Sequence, residues 1–207
     1  RLRMAGAAPQ ARTHRRLLQA LTFASHRLKR PTERANALRA RMTSDDLCYL
    51  GLMEVGRRIR ARQLSSVEVT RALLQRIAQV DVSLRSYATV TAELALVAAA
   101  EADREIGRGE GRGPLHGVPI AVKDLYHTKG VVTAAGMTIY KDFVPERDAT
   151  VVSRLKAAGA VLVGKLQLTD GAFSAHHPSV KPPVNPWSAA HWTGVSSSGS
   201  GVATAAG

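Results

Sequence analysis

The sequence predicts an α/β domain with a parallel or mixed sheet, and two observations carry that prediction. The first is a strand, helix, strand pattern: Val118-Pro-Ile-Ala-Val122, then a helical run opening at Asp148, then Ala160-Val-Leu-Val-Gly164. A crossover of this kind joins strands of one parallel or mixed sheet. The second is that residues 160–164 are apolar on both faces, as strands covered by helices on each side are. The 207 residues, 45% of them hydrophobic, suffice for a core of this size.

Taken in order, residues 1–41 read as a basic leader outside the fold, either an organellar transit peptide or translated upstream sequence, with Met42 the preferred start and 42–207 the domain. Thr43-Ser-Asp-Asp46 offers caps and first-turn acids for a helix. Leu47, Leu50, Met53 and Ile59 with interleaved arginines predict one amphipathic helix over 46–62. Ser65 and Glu68 form a capping box for a second helix to about Val80, whose stripe is Val69, Leu73, Ile77 and Val80. Ser86 to Thr91 is a short β-prone run, and Ala92 to Ile106 an Ala-rich helix small enough in section to pack closely. Gly107 to Gly113, with four glycines, is a loop. Pro119 places the 118–122 strand at the start or edge of the sheet. Asp148 is expected to cap the next helix, which Gly159 ends as the C′ glycine. His176 to Trp192, rich in proline and polar residues, is an ordered loop.

Charge and cysteine content exclude several functions. The formal charge is +13, but eleven of the 29 Lys and Arg residues and one of the 16 acids lie in 1–41. The leader therefore carries +10, and the remaining 166 residues, with 18 bases and 15 acids, carry +3. Nonspecific nucleic-acid contact belongs to the leader and not to the domain. Cys48 is the only cysteine, so neither an internal disulfide nor a cysteine metal cluster can form. No run approaches the roughly 18 apolar residues of a spanning helix, and a cytoplasmic protein is expected. Oligomeric state stays open, with a homodimer as one option.

Two segments could hold chemistry. Gly113-Pro-Leu-His-Gly-Val-Pro-Ile-Ala-Val-Lys-Asp124 brings one lysine to the end of an apolar strand, where side chains reach the active edge of an α/β sheet. An isolated lysine there normally turns to water. Buried, its pKa falls, and the neutral amine can activate a serine without histidine. Thr193-Gly-Val-Ser-Ser-Ser-Gly-Ser-Gly201 supplies the hydroxyls of Ser196, Ser197, Ser198 and Ser200. By composition alone this stretch is equally a flexible linker. Asp124 either orients Lys123 or serves the turn. His176 and His177, being adjacent, diverge and make a poor metal pair, so they are read as loop residues. The glycine-rich end lacks Gly-Lys-Ser/Thr and is not a phosphate-binding loop.

Gly117-Val-Pro-Ile-Ala-Val-Lys-Asp124, Asp148-Ala-Thr-Val-Val152, Gly159-Ala-Val-Leu-Val-Gly-Lys165, Asn185-Pro-Trp187 and Gly194-Val-Ser-Ser-Ser-Gly-Ser200, in this order, resemble the amidase signature family. The resemblance runs from about residue 46 to the chain end. It implies the N-terminal portion of an amidase on the family's mixed sheet, incomplete in this chain, that hydrolyses or transfers carboxamides with a Ser-Ser-Lys triad and no metal or cofactor. Lys123 then matches the catalytic lysine. Ser196 matches the relay serine, which the family holds on a cis peptide bond, and Ala172 and Ser197 fall at substrate-binding positions. The acylated serine is expected beyond Gly207, so the 207-residue chain is expected to be inactive alone. Val195 and Ser198 stand where the family has glycines. Residues 174–183 differ from the loop of tRNA-dependent amidotransferases, which favours a stand-alone amidase acting on a small amide. A non-catalytic or incomplete gene product is the contrasting expectation. If the resemblance holds, Lys123 Nζ and Ser196 Oγ lie about 2.6–3.2 Å apart.

Overall fold

The computed structural model describes residues 43–207, and the expected leader, 1–41, lies outside them. Thr43 begins the described chain as the cap of α1 (Ser44–Cys48): its hydroxyl accepts from the Asp46 N–H, and the Asp46 carboxylate accepts from the Thr43 N–H at 2.8 Å. The single helix expected over 46–62 is two. Gly51 follows a turn at Tyr49 and Leu50 and becomes the N-cap of α2 (Leu52–Arg60), so the amphipathic stripe continues across a break. Glycine mid-helix is entropically unfavourable and suits the cap instead.

The Ser65–Glu68 capping box starts α3 (Ser66–Leu84), which outruns its expected end by one turn and stops where Arg85 adopts a left-handed conformation. Strand β1 (Tyr87–Val90) follows, then α4 (Ala92–Arg108). Ala95, Ala99 and Ala102 are buried on α4, and their small side chains let it approach α3 and the sheet closely. Next come β2 (Pro119–Lys123), α5 (Thr150–Ala157), β3 (Val161–Leu166) and α6 (Ser198–Ala206). Asp148 does not cap α5. The N-cap is Ala149, and the Asp148 carboxylate instead binds the Lys129 N–H at 2.7 Å and the Lys156 ammonium at 2.8 Å. The carboxylate gains a charged partner this way, which a backbone cap alone would not supply. Gly159 stands at C′ with φ +78°.

The three strands form one mixed sheet in the order β1-β3-β2, with β3 antiparallel to β1 and parallel to β2. Pro119 begins the strand at one edge, where its missing N–H breaks no ladder. Ile77, Ala95, Ala99, Val161 and Val163 bury the helix-covered side of the sheet, and Leu47, Val55, Ile59, Leu64, Val69, Ile106 and Val118 form an adjoining core under α1 to α3. Among the described residues no helix is long and apolar enough to cross a membrane, and no group of three or more His, Cys, Asp or Glu could hold a metal ion.

Candidate active site

Strand β2 delivers Lys123 at its C-terminal end, beside the C-terminal end of parallel β3, where Lys123 pairs with Leu166. Beyond β3 the chain runs through Leu168 and Thr169, both fully buried, into a tight turn at Asp170–Ala172. It returns along residues 193–197 to enter α6. The Thr169 N–H donates to the Ser196 carbonyl at 3.2 Å, so the serine loop is tied to the segment leaving β3. The N-terminus of α6 then seats against the sheet end, where the Gly199 N–H donates to the Gln167 carbonyl at 3.0 Å.

Across these 73 positions Lys123 Nζ and Ser196 Oγ meet at 2.5 Å. Burial lowers the Lys123 pKa from the ordinary lysine value, and both side chains remain half-buried, so the pair is desolvated without being sealed. In its neutral form the amine can take the Ser196 proton, and in its charged form it can return one.

The backbone of Ser196 differs from the expectation. All peptide bonds among the described residues are trans, so the cis bond implied by the resemblance is not found. Ser196 reaches Lys123 instead through a left-handed φ of +61°, at the centre of a three-residue turn closed by the Ser197 N–H to the Val195 carbonyl at 2.8 Å. Positive φ is costly for a residue with a side chain, and such turns are strained. Gly194 before it also has a positive φ, +86°, whereas Val195, in place of a family glycine, is half-exposed and unstrained by φ.

Ala172 and Ser197 lie on the two segments that the Thr169–Ser196 hydrogen bond joins. Ala172, half-buried with φ +64°, closes the turn after Thr169. Ser197 is the exposed N-cap residue of α6. The two histidines diverge: His176 Nε2 lies 3.0 Å from the buried Ser198 Oγ, while His177 Nδ1 lies 2.8 Å from Ser179 Oγ on the surface. Burial lowers the His176 pKa, disfavouring the charged ring beside Ser198. Asp124 does not orient Lys123 through its carboxylate, which faces Lys165 at 3.0 Å. Both are almost wholly buried. Sequence reasoning passed over Lys165 as a motif letter, although a lysine inside an apolar strand run was the available signal.

A separate cleft of about 360 Å³, lined by Glu105, Arg112, His116 and Lys156 among others, opens at the other end of the strands beside Ala160 and Leu162. Within it Glu105 pairs with the Arg112 guanidinium and lies 2.9 Å from His116 Nε2. It does not include Lys123 or Ser196.

The amidase family model matches residues 68–207, a span that includes both Lys123 and Ser196. The chain belongs to the amidase family. It is 55% identical over 176 residues to "Putative amidase AmiD" of Mycobacterium tuberculosis, covering 85% of this chain and 37% of that protein. It is 47% identical over 164 residues to a glutamyl-tRNA(Gln) amidotransferase component of Anaeromyxobacter dehalogenans, covering 78% of this chain and 33% of that protein. Among solved structures it resembles the peptide amidase of Stenotrophomonas maltophilia, with a TM-score of 0.68 and 37% identity over 75% of this chain and 34% of that one. The chain thus spans about a third of the length of the relatives it matches. The mixed sheet with flanking helices is the amidase fold over that part.

Proposed function

We propose that Lys123 and Ser196 are the base and proton relay of an amidase that hydrolyses carboxamide C–N bonds in linear amides other than peptide bonds. The observation that carries this reading is the 2.5 Å contact between a desolvated amine and a hydroxyl held on a strained turn, at the two positions where the family's lysine and relay serine are matched. Neutral Lys123 accepts the Ser196 proton as Ser196 takes one from a further, nucleophilic serine that the mechanism requires. That serine attacks the amide carbonyl, the C–N bond breaks, and the relay returns a proton to the departing amine or ammonia. Water then hydrolyses the ester, releasing the carboxylic acid and regenerating the serine. Ala172 and Ser197 are assigned to binding the amide substrate on the resemblance alone. Donors for the developing oxyanion are expected beside that nucleophile.

The deciding experiment is ammonia release from simple carboxamides, run on the 207-residue chain and on an extended chain that includes such a serine. The 207-residue chain should show no turnover. The extended chain should turn over, with loss of about a thousandfold or more on Lys123→Ala or Ser196→Ala. Undiminished turnover in either variant removes that residue from the mechanism, and turnover by the 207-residue chain that these substitutions abolish removes the need for a further serine. Similarity to an amidotransferase component supports a second reading, transfer of the glutamine amide. Activity that requires partner proteins would favour it, and glutamine-independent turnover by the isolated chain would exclude it.

A further inference from the structure

Lys165 is the largest fully buried side chain of the described residues, at 0% exposure, and Asp124 beside it is 2% exposed. The Lys165 ammonium lies 3.0 Å from Asp124 Oδ1 and donates to Thr133 Oγ1 at 2.7 Å. Burial pushes the Asp124 carboxyl up and the Lys165 ammonium down, while their mutual attraction opposes both shifts. A buried ion pair is a weak source of net stability, because desolvating two charges offsets most of what their attraction returns. What this pair does supply is connection.

Asp124 follows Lys123 directly. Its other carboxylate oxygen accepts the Ala134 N–H at 2.9 Å, and its carbonyl accepts the Ala135 N–H at 3.2 Å. Residues 133–136 are thereby fastened to the end of β2. They also rest on the segment leaving β3, to which the Ser196 loop is tied. The Gly171 N–H donates to the Ala135 carbonyl at 2.9 Å, and a Cβ on Gly136 would sit only 2.8 Å from the carbonyl oxygens of Leu168 and Thr169. Thr169 is the residue whose N–H holds the Ser196 carbonyl. Lys165, reaching from β3 to Thr133 and Asp124 together, closes the circuit.

We propose that Asp124 and Lys165 form a positioning latch, a buried ion pair that locks the 133–136 loop against both the strand end bearing Lys123 and the 168–171 segment that holds the Ser196 carbonyl, and so keeps Lys123 and Ser196 in contact. This rests on the reading of Lys123 and Ser196 as base and relay. Neither Asp124 nor Lys165 touches the reacting atoms, and both act through the loop.

The test uses the 207-residue chain and needs no turnover. Acylation of each lysine by acetic anhydride is followed against pH by peptide mass spectrometry, with Lys129 and Lys156 as internal references and the thermal transition reporting folding. Three variants are compared: Lys165→Met, the apolar replacement Asp124→Leu/Lys165→Met, and Thr133→Val, which removes one acceptor and leaves both charges. In the parent chain the Lys123 midpoint should lie below the ordinary lysine value of about 10.4. In folded Lys165→Met and in the double variant it should return to that value, and the plateau labelling rate of Lys123 should rise about threefold or more as the contact loosens. Thr133→Val should give a smaller rise of the same sign. Lys129 and Lys156 should not change.

A parent midpoint equal to that of Lys129 would overturn the base-and-relay reading itself. A depressed parent midpoint that is unchanged in a folded Lys165→Met or double variant would leave that reading standing and overturn the latch. Should both of those variants fail to fold, an unchanged Lys123 profile in Thr133→Val overturns it as well.

Discussion

Desolvation at the end of β2 acts on Lys123 in one direction, lowering its pKa, and the sign of the consequence can be worked out. Between the lowered folded value and the unfolded value of about 10.4, the unfolded chain holds more protons than the folded one. The contribution of Lys123 to stability therefore improves as pH rises through that alkaline window and is unfavourable below it. Denaturant midpoints measured across the window should climb more steeply in the parent chain than in Lys123→Met, and parallel slopes would contradict the burial of this amine. In an extended, active chain the same titration sets the rate: kcat/KM should rise with pH as Lys123 loses its proton, with a midpoint below about 10.4. Ser196 adds a second residue-scale constraint. Its φ of +61° is one that glycine adopts freely, so Ser196→Gly would relieve the strain while deleting the hydroxyl. Such a variant should be at least as stable as Ser196→Ala, and as inactive in the extended chain.

At the scale of elements, the approach of α6 to the sheet end decides where Ser196 can be. Gly199, in the first turn of α6, has no room for a side chain: a Cβ would lie 2.4 Å from the Ser86 carbonyl oxygen and 2.6 Å from the Gln167 nitrogen. Those atoms are backbone and cannot swing aside, so Gly199→Ala must push the helix start outward and the preceding serine loop with it. A loss of about 1–3 kcal/mol in unfolding free energy is expected from overpacking of this kind. The Lys123 labelling profile should also move toward that of an exposed lysine. Unchanged stability would mean that α6 is not seated as described. The elements themselves were mostly legible in the sequence, because capping residues and apolar periodicity are local. Ser65 with Glu68, the alanine stripe of 92–106 and the two apolar strands each announced themselves. The diversion of Asp148 to Lys129 and Lys156 was not legible, since it depends on a contact that helix periodicity does not encode, whereas the break at Gly51 had a local signal in the glycine itself.

The whole molecule shows the same division. Lys123 and Ser196 were found through motifs, yet nothing local in the sequence placed the Asp124 carboxylate against Lys165 and not against Lys123, because that choice is made where three segments converge. Charge is the property of the whole chain that the sequence states outright, and it supports the last prediction. Residues 1–41 carry eleven Lys and Arg and one acid, and their removal takes the formal charge from +13 to +3. The first described helix does not depend on them for its N-terminal hydrogen bonds, because Thr43 and Asp46 cap each other. A chain beginning at Met42 should therefore keep the thermal transition of the parent. It should also lose most salt-sensitive retention on a polyanion such as heparin, since affinity for such surfaces scales with the cations that displace counterions, and the log-log salt slope should flatten accordingly. Binding that survives the deletion with its salt slope intact would put the polyanion contact on the domain. A lowered thermal midpoint would show that the basic segment belongs to the fold.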